Sequence, residues 1–461
     1  MAIQQTISPV DGSVYVEREQ AGAATIEAAL ARAVAAQRAW REVTVAERAR
    51  YCLRMVEAIV ARRDALAEEL TWQMGRPIAA AGGEIGGFEE RARTMIALAE
   101  EALAPLRLAD KPGFTRYITR EPLGVSLIVA PWNFPFMTAV NALVPAIMAG
   151  NTVILKHSAQ TPLCAERLQE AFDEAGLPEG VFQYLHLSHG DTEVLIRDSR
   201  IHHVSFTGSV AGGERVERNA AGRFIATGLE LGGKDPAYVR ADVDLDEAVA
   251  GVMDGAFFNS GQSCCGIERI YVQQDIFDAF VARAVAWVKQ LRLGNPTDPA
   301  TTLGPLVKPA AADFVRGQIE EAVASGAKAW IDPGDYPLST PGSAYLAPQL
   351  LTGVDHSMRV MTEESFGPVV GVMPVAGDDE AVALMNDSAF GLTAAVFTRD
   401  RAAGEAIAQR LEAGTVFTNR CDYLDPELAW TGVKQSGRGC SLSRLGYETL
   451  TRPKSFHLKH V

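Results

Sequence analysis

From Leu123 to Leu155 the chain carries no charged residue and no histidine, a run long enough to raise a membrane-spanning helix. Pro131, Pro135 and Pro145, with Asn133, Asn141 and Asn151, interrupt it. A proline inside a helix removes a hydrogen bond and costs roughly 3 kcal/mol. The pattern therefore predicts a buried strand over 125–130, a turn, a buried helix over 136–149 closed by Gly150, and a second strand over 152–155. The alternation continues with a helix over 162–174, ended by Gly176, and apolar or β-branched runs at 181–185, 203–207 and 224–229. Stretches 191–199 and 212–220 between those runs read as helices. Strands alternating with helices imply right-handed crossovers and a parallel sheet covered on both faces. Such a sheet binds ligands beyond the carboxyl ends of its strands.

Upstream, residues 25–40 set Ile26, Leu30, Ala33 and Val34 on one helical face. Thr44 and Glu47 form a capping box that opens a long helix running to Gly75. Cys52 falls on its apolar stripe with Val56 and Ile59 and reads as core, as does Cys164 within 162–174. Past Gly232-Gly233 a second alternation runs from Tyr238 to about Asn419, with helices over 277–290, 311–325, 380–385 and 402–411. That predicts a second α/β domain. No low-complexity linker and no internal repeat is visible.

Composition narrows the function classes. A chain of 461 residues with 48% hydrophobic and 22% charged positions has ordinary globular content and room for two or more domains. A formal net charge of −14 argues against a nucleic-acid or anionic-membrane partner. The six cysteines show no C-x-x-C pair and no Cys/His spacing suited to a metal, which points to free thiols in a reducing compartment. The opening MAIQQTISPVDG lacks a basic region followed by an apolar one, so cytoplasm is the expected location.

The sharpest chemical signal is Gln262-Ser263-Cys264-Cys265, a thiol among small residues directly after a Gly-Gln turn. Taken alone, a buried pair of free cysteines reads equally well. Other motifs break the tie. Pro131-Trp132-Asn133-Phe134-Pro135, Lys156, Gly208-Ser209 and Glu230 all fall at predicted carboxyl ends of strands in one sheet. With Glu364-Ser365-Phe366-Gly367-Pro368 and Gly432-Val433-Lys434-Gln435-Ser436-Gly437 they occur in the order of one family. Over its whole length the chain resembles the aldehyde dehydrogenase superfamily, whose nucleophile motif F-F-x-x-G-Q-x-C puts the nucleophile at Cys264.

The resemblance implies an α/β fold of the aldehyde dehydrogenase type. A Rossmann-like parallel-sheet cofactor domain (1–104 and 123–232) would accompany a catalytic α/β domain (233–434) and a small oligomerisation extension (105–122 and 435–461). It implies oxidation of an aldehyde to a carboxylic acid through a Cys264 thiohemiacetal and thioester. Asn133 would hold the oxyanion and Glu230 would act as general base. For the cofactor, Gly208 and Ser209 would meet the pyrophosphate, Lys156 the adenosine ribose and Glu364 the nicotinamide ribose. Phe366 would pack on the ring, and Trp132, Gly213 and Leu231 would complete the site. Ala159 stands where many NAD-preferring members carry a glutamate, which opens the site to NADP as well as NAD. Lys156, and His157 when protonated, would then attract the 2′-phosphate.

The aldehyde funnel maps to Met137, Asn141, Phe258, Ser263, Cys265 and Trp430. Members acting on carboxylated semialdehydes carry arginine near the positions of Asn141 and Phe258; neither is arginine here, and Arg420 keeps an acidic substrate open. The partners implied are a small aldehyde and further copies of the chain, as dimer or tetramer. Two alternatives remain. A CoA-acylating semialdehyde dehydrogenase would do without Glu230, and a non-catalytic member would be expected to lose Cys264, Asn133 or Glu230.

Overall fold

The computed structural model describes residues 2–461. The uncharged stretch folds as strand β1 (Val125–Val129), helix α1 (Pro135–Met148) and strand β2 (Thr152–Lys156), every strand residue buried. Pro145 lies in the last turn of α1, which ends three residues later without a break. Helix α2 (Pro162–Glu174), β3 (Phe182–Tyr184), α3 (His189–Arg197), β4 (Ile201–Thr207), α4 (Val210–Ala220) and β5 (Ala226–Glu230) follow. The five strands are parallel in the order β3-β2-β1-β4-β5, so the order reverses between β1 and β4. That reversal opens a crevice at the strands' carboxyl ends.

Side chains alternate across this sheet. Ile128 packs with Phe136, Leu143 and Cys164 on one face; Leu127 and Val129 pack with Leu30, Leu195 and Val216 on the other. Full burial of each such side chain stabilises by about 1.5–3 kcal/mol. Both faces are covered, which is why β1 and β2 read as continuous apolar runs. Among the described residues no helix is long and apolar enough to cross a membrane.

A second sheet joins β6 (Asp235–Val239), β7 (Ile267–Gln273), β8 (Gln349–Thr352), β9 (Val369–Val375), β10 (Thr393–Phe397) and β11 (Thr415–Thr418) in the parallel order β8-β9-β7-β6-β10-β11. A third, antiparallel sheet pairs Phe114–Pro122 with Thr451–Lys459, reinforced by stacking of Tyr117 on Phe456 at 4.5 Å.

Three details depart from the sequence pattern. The helix expected from Thr44 to Gly75 is two, Val45–Val60 and Arg63–Met74, broken where Arg62 leaves helical geometry (φ −104°, ψ 14°). The break lets both segments lie on one long helix, Ile78–Leu103, which the pattern did not reveal. Ala79-Ala80-Ala81-Gly82-Gly83 and Gly86-Gly87 blur its periodicity. The glycine is needed for close approach, since a Cβ on Gly87 would collide with the Met137 sulfur. Finally, β5 starts at Ala226 rather than Phe224, whose backbone is left-handed (φ 55°) and whose ring is fully exposed.

Candidate active site

The helix Leu245–Phe257 runs into a tight turn, Phe258–Gly261, in which three successive residues are left-handed: Asn259 (φ 52°), Ser260 (φ 58°) and Gly261 (φ 73°). Two non-glycine residues in that region cost on the order of 1–3 kcal/mol each. The surroundings hold them there. Asn259 Nδ2 donates to the carbonyls of Asn133 (3.3 Å) and Gln262 (3.2 Å), and Ser260 Oγ donates to Gly304 O (2.9 Å). Buried Gln262 donates to Asn259 O (3.2 Å) and accepts from Val307 N (2.8 Å). Gly261 admits no Cβ, because one would strike the Gly367 carbonyl. The Gly-Gln pair is thus the brace of a strained turn. It leaves Cys264 half-buried, while Ser263 and Cys265 are buried behind it.

Asn133 follows β1 and is 5% exposed. Its Nδ2 donates to Gln262 O at 3.2 Å, which fixes the amide against the nucleophile turn. Behind it lies a buried ion pair, Arg76–Glu84 at 2.5 Å, with side chains 1% and 0% exposed. The guanidinium also donates to Asn133 O (2.5 Å) and Asn259 Oδ1 (3.1 Å) and lies 4.5 Å over the Phe134 ring. Glu84 Oε1 accepts from the amides of Phe136 and Met137, both at 3.0 Å, a carboxylate at the amino end of α1. One ion pair therefore sets the positions of the amide side chain, the nucleophile turn and α1 together.

Glu230 ends β5. Its Oε2 accepts from the Thr207 hydroxyl at 3.0 Å and its Oε1 from the Ser441 hydroxyl. Ser441 is carried there by a two-bond bridge to Trp430 (2.8 and 2.9 Å). Burial raises the Glu230 carboxyl above its ordinary range; the two hydroxyls and the charge of Arg91 act in the opposite direction. Cys264 and Glu230 line one cavity of about 300 Å³, walled by Met137, Asn141, Phe258, Ser263, Cys265 and Trp430. Its walls are mainly apolar, and a few polar groups converge inside it.

A further set of groups gathers at the carboxyl ends of β2 and β4. Ser209 caps α4, its Oγ accepting from Gly212 N at 3.2 Å, which leaves the first amides of the helix, at Val210 and Ala211, without an intrahelical acceptor. Gly213 lets α4 meet Leu231, since a Cβ there would come within 2.7 Å of it. Lys156, at the end of β2, is 8% exposed; burial alone lowers its pKa, with no carboxylate in opposition. Ala159 is exposed beyond it. Trp132 and Phe366 meet edge to face at 5.7 Å. Glu364 accepts from Gly233 N at 2.9 Å, and burial with the charge of Glu268 pushes its carboxyl up to about 7. The cation, the open helix end and the aromatic pair suit a pyrophosphate-linked dinucleotide ending in a flat ring.

The model of the Aldehyde dehydrogenase family matches residues 2–456. The chain belongs to the aldehyde dehydrogenase family. It is an oxidoreductase that acts on aldehyde groups. Succinate-semialdehyde dehydrogenase [NADP(+)] of Mycolicibacterium paratuberculosis is 38% identical over 453 residues, 98% of this chain and 95% of that protein. Succinic semialdehyde dehydrogenase of Streptococcus pyogenes, solved with NADP+, superposes with a TM-score of 0.94 at 29% identity, covering 99% of this chain and 100% of that one. PnpE, solved with nicotinamide adenine dinucleotide, gives 0.94 at 31% identity over 99% of this chain and 94% of its own.

Two expectations for this dehydrogenase need correction. Arg420 does not reach the cavity; it is exposed and stacks on the Tyr423 ring at 3.6 Å. His157 is no partner for a phosphate. Its Nε2 donates to Pro135 O (3.2 Å), its Nδ1 accepts from Thr161 Oγ1 (3.1 Å), and burial pushes its pKa down to about 4, so the ring is neutral at pH 7. Sequence reasoning also gave no role to Arg76, Glu84 and Arg91, which lie in no recognised motif, nor to Thr207 in the Phe206-Thr207-Gly208-Ser209 motif, Asp422 in the 419–430 loop or Ser441, where the chain departs from the family pattern. It missed Glu268 as well, which pairs with buried Lys234 (2.5 Å) and accepts from the amides of Ser365 and Phe366. That second bond holds Phe366 at its left-handed φ of 52°.

Proposed function

We propose that this dehydrogenase oxidises a short aldehyde that carries a carboxylate, through a hydrolysed Cys264 thioester, with NADP accepted at least as well as NAD. The Cys264 thiolate adds to the aldehyde carbon, and the carbonyl oxygen becomes an oxyanion held by the Asn133 amide and the Cys264 N–H. A nicotinamide dinucleotide held by Lys156, Gly208, Ser209 and Glu364 would supply the acceptor for the hydride that leaves that carbon, with the thioester left on Cys264. Glu230 then removes a proton from the attacking water, and the thiolate leaves as the acid is released. The observation that carries the hydrolytic reading is Glu230 in the same cavity as Cys264. The carboxylated substrate class is supported by the relatives named succinate-semialdehyde dehydrogenase. An aldehyde panel assayed with NAD and NADP in parallel tests the reading; turnover that requires CoA would overturn it.

Glu230→Gln separates the two half-reactions. A burst of reduced cofactor equal to the active sites should precede slow turnover, because acylation survives and hydrolysis does not. In the native enzyme, deacylation should rise with pH through the elevated Glu230 pKa, since only the carboxylate accepts the proton; that limb should vanish in the variant. Unchanged steady-state turnover would remove Glu230 from the mechanism.

Cofactor choice turns on Ala159 in this proposal. A carboxylate ~4 Å from a 2′-phosphate, at an effective dielectric near 20, is a repulsion of about 4 kcal/mol before screening. Screening leaves roughly 1–2 kcal/mol, or about a tenfold preference. Ala159→Glu should therefore raise the NAD/NADP ratio of kcat/KM about tenfold. A native enzyme with strong NAD preference, unmoved by this substitution, would contradict the assignment.

The parts 1–104 with 123–232, 233–434, and 105–122 with 435–461 would serve cofactor binding, catalysis and assembly. The second sheet falls wholly within 233–434 and the third within the remaining extension. Thr451–Lys459 forms an open edge nine residues long, which in this proposal a second copy of the chain covers to form a dimer or tetramer. Six free thiols support a cytoplasmic setting.

A further inference from the structure

Arg91 projects from the Ile78–Leu103 helix into the cavity that holds Cys264 and Glu230. It is 7% exposed, yet it has no salt-bridge partner among the described residues. The acidic residues of the same helix near it are committed elsewhere: Glu84 to Arg76, Glu89 to Arg93 and Glu90 to the Tyr423 hydroxyl. One amino group is used, donating to Met137 O (2.8 Å) and Asn141 Oδ1 (3.3 Å). Nε and the second amino group donate to no protein group. A buried guanidinium is always charged, and leaving it unpaired is strongly unfavourable unless a ligand supplies the counter-charge. A second observation lies beside it: Asn141, 1% exposed and lining the same cavity, has an Nδ2 that makes no hydrogen bond within normal distance and faces the Glu230 carboxylate.

We infer that Arg91, with the Asn141 amide, is the seat for the substrate's carboxylate and the residue that sets specificity. This rests on the aldehyde-oxidising reading above and adds the group that selects among aldehydes. Cys264 would take the aldehyde end, and the planar fork of Arg91 the anionic end by parallel N–H···O bonds. The charge that related semialdehyde enzymes place at the position of Asn141 is here brought by the adjacent helix, and Asn141 orients it. Two other carboxyls share the cavity. Glu90 accepts from the Tyr423 hydroxyl (2.6 Å), and Asp422 accepts from Ser263 Oγ (3.1 Å) and Cys265 Sγ (2.9 Å). Neutral donors hold both, so neither neutralises the guanidinium directly; the Glu230 charge also faces Arg91 within the cavity, but its oxygens are held by the Thr207 and Ser441 hydroxyls and form no ion pair with the guanidinium. They do provide the rival outcome, a cationic substrate end.

The test compares aldehydes of equal chain length ending in carboxylate, methyl or ammonium. The native enzyme should prefer the carboxylated one. Arg91→Met should lower the carboxylate-to-methyl ratio of kcat/KM about 30- to 100-fold, through KM rather than kcat. Arg91→Lys should recover only part, because a point charge lacks the bidentate fork. Should the loss of the Met137 contact unsettle the fold, the double variant Arg91→Met/Asn141→Arg returns the charge from α1 and should restore the preference. A native preference for the methyl or ammonium aldehyde overturns the inference, as does an Arg91→Met effect equal on all three. Failure to oxidise any aldehyde with either cofactor would overturn the underlying reading too, and is distinguishable on that account.

Discussion

Cys264→Ser should lower dehydrogenase turnover by on the order of 10^4-fold or more, while Cys265→Ser retains most of it. The two sulfurs are adjacent in sequence and differ in surroundings. Cys264 is half-buried at the cavity, past the left-handed turn that presents it. Cys265 is 3% exposed and donates to Asp422 Oδ1 at 2.9 Å. The neighbouring Cys264 thiol, burial and the Asp422 charge push the Cys265 thiol well above its usual range, so it is a protonated donor and not a thiolate at neutral pH. Serine at 265 preserves the donor to Asp422. Serine at 264 keeps the shape and removes the reactive thiolate. Steady-state assay of the two variants with one aldehyde suffices, and loss in Cys265→Ser with survival in Cys264→Ser would reverse the assignment.

Arg76→Met should lower stability by about 3–5 kcal/mol, because it strands the Glu84 carboxylate unpaired in the interior. The double variant Arg76→Met/Glu84→Gln should recover most of that loss. The buried charge is gone, and the glutamine carbonyl still accepts from the amides of Phe136 and Met137. Activity should behave differently. The double variant should remain roughly 10- to 100-fold slow in kcat, since neither Asn133 O nor Asn259 Oδ1 regains its donor and the oxyanion amide loses its registration with Cys264. Urea midpoints and kcat on the same preparations separate the two effects. Full recovery of kcat in the double variant would reduce the pair to a purely structural element.

The chemistry of the bond-making residues was legible in the chain because it is written in short motifs whose spacing the backbone enforces. Gly261-Gln262 precede Cys264 because a left-handed turn braced by a buried amide must present the sulfur. Asn133 and Glu230 close β1 and β5 because parallel strands deliver their last residues to one edge. The first sheet was legible for a related reason: strands covered on both faces become uninterrupted apolar runs, and α1 and α2 start at proline and stop beside glycine. The Ile78–Leu103 helix was not read from the sequence, although Ala81, Ile85, Phe88, Ala92, Met95, Ala99 and Ala102 recur on its buried face at helical spacing, because the Gly82-Gly83 and Gly86-Gly87 pairs on its other faces lower helix propensity and mask the pattern.

What only the tertiary structure decided is which distant charges enter the site. The sequence pointed to Arg420 and gave no sign of Arg91. Packing turns Arg91 inward beside Asn141, while Arg420 lies out in solvent on Tyr423. His157 looked available to a phosphate from its place beside Lys156, yet the carbonyl at Pro135 and the hydroxyl of Thr161 bury it neutral. Burial, ion pairing and desolvation depend on contacts between segments up to hundreds of residues apart, such as Ser441 with Glu230 or Arg76 with Asn259. Local sequence fixes residue type and spacing, and so determined the reaction class; the environment of each charge is a property of the packed chain, and so the proposed carboxylate seat at Arg91 waited for the fold.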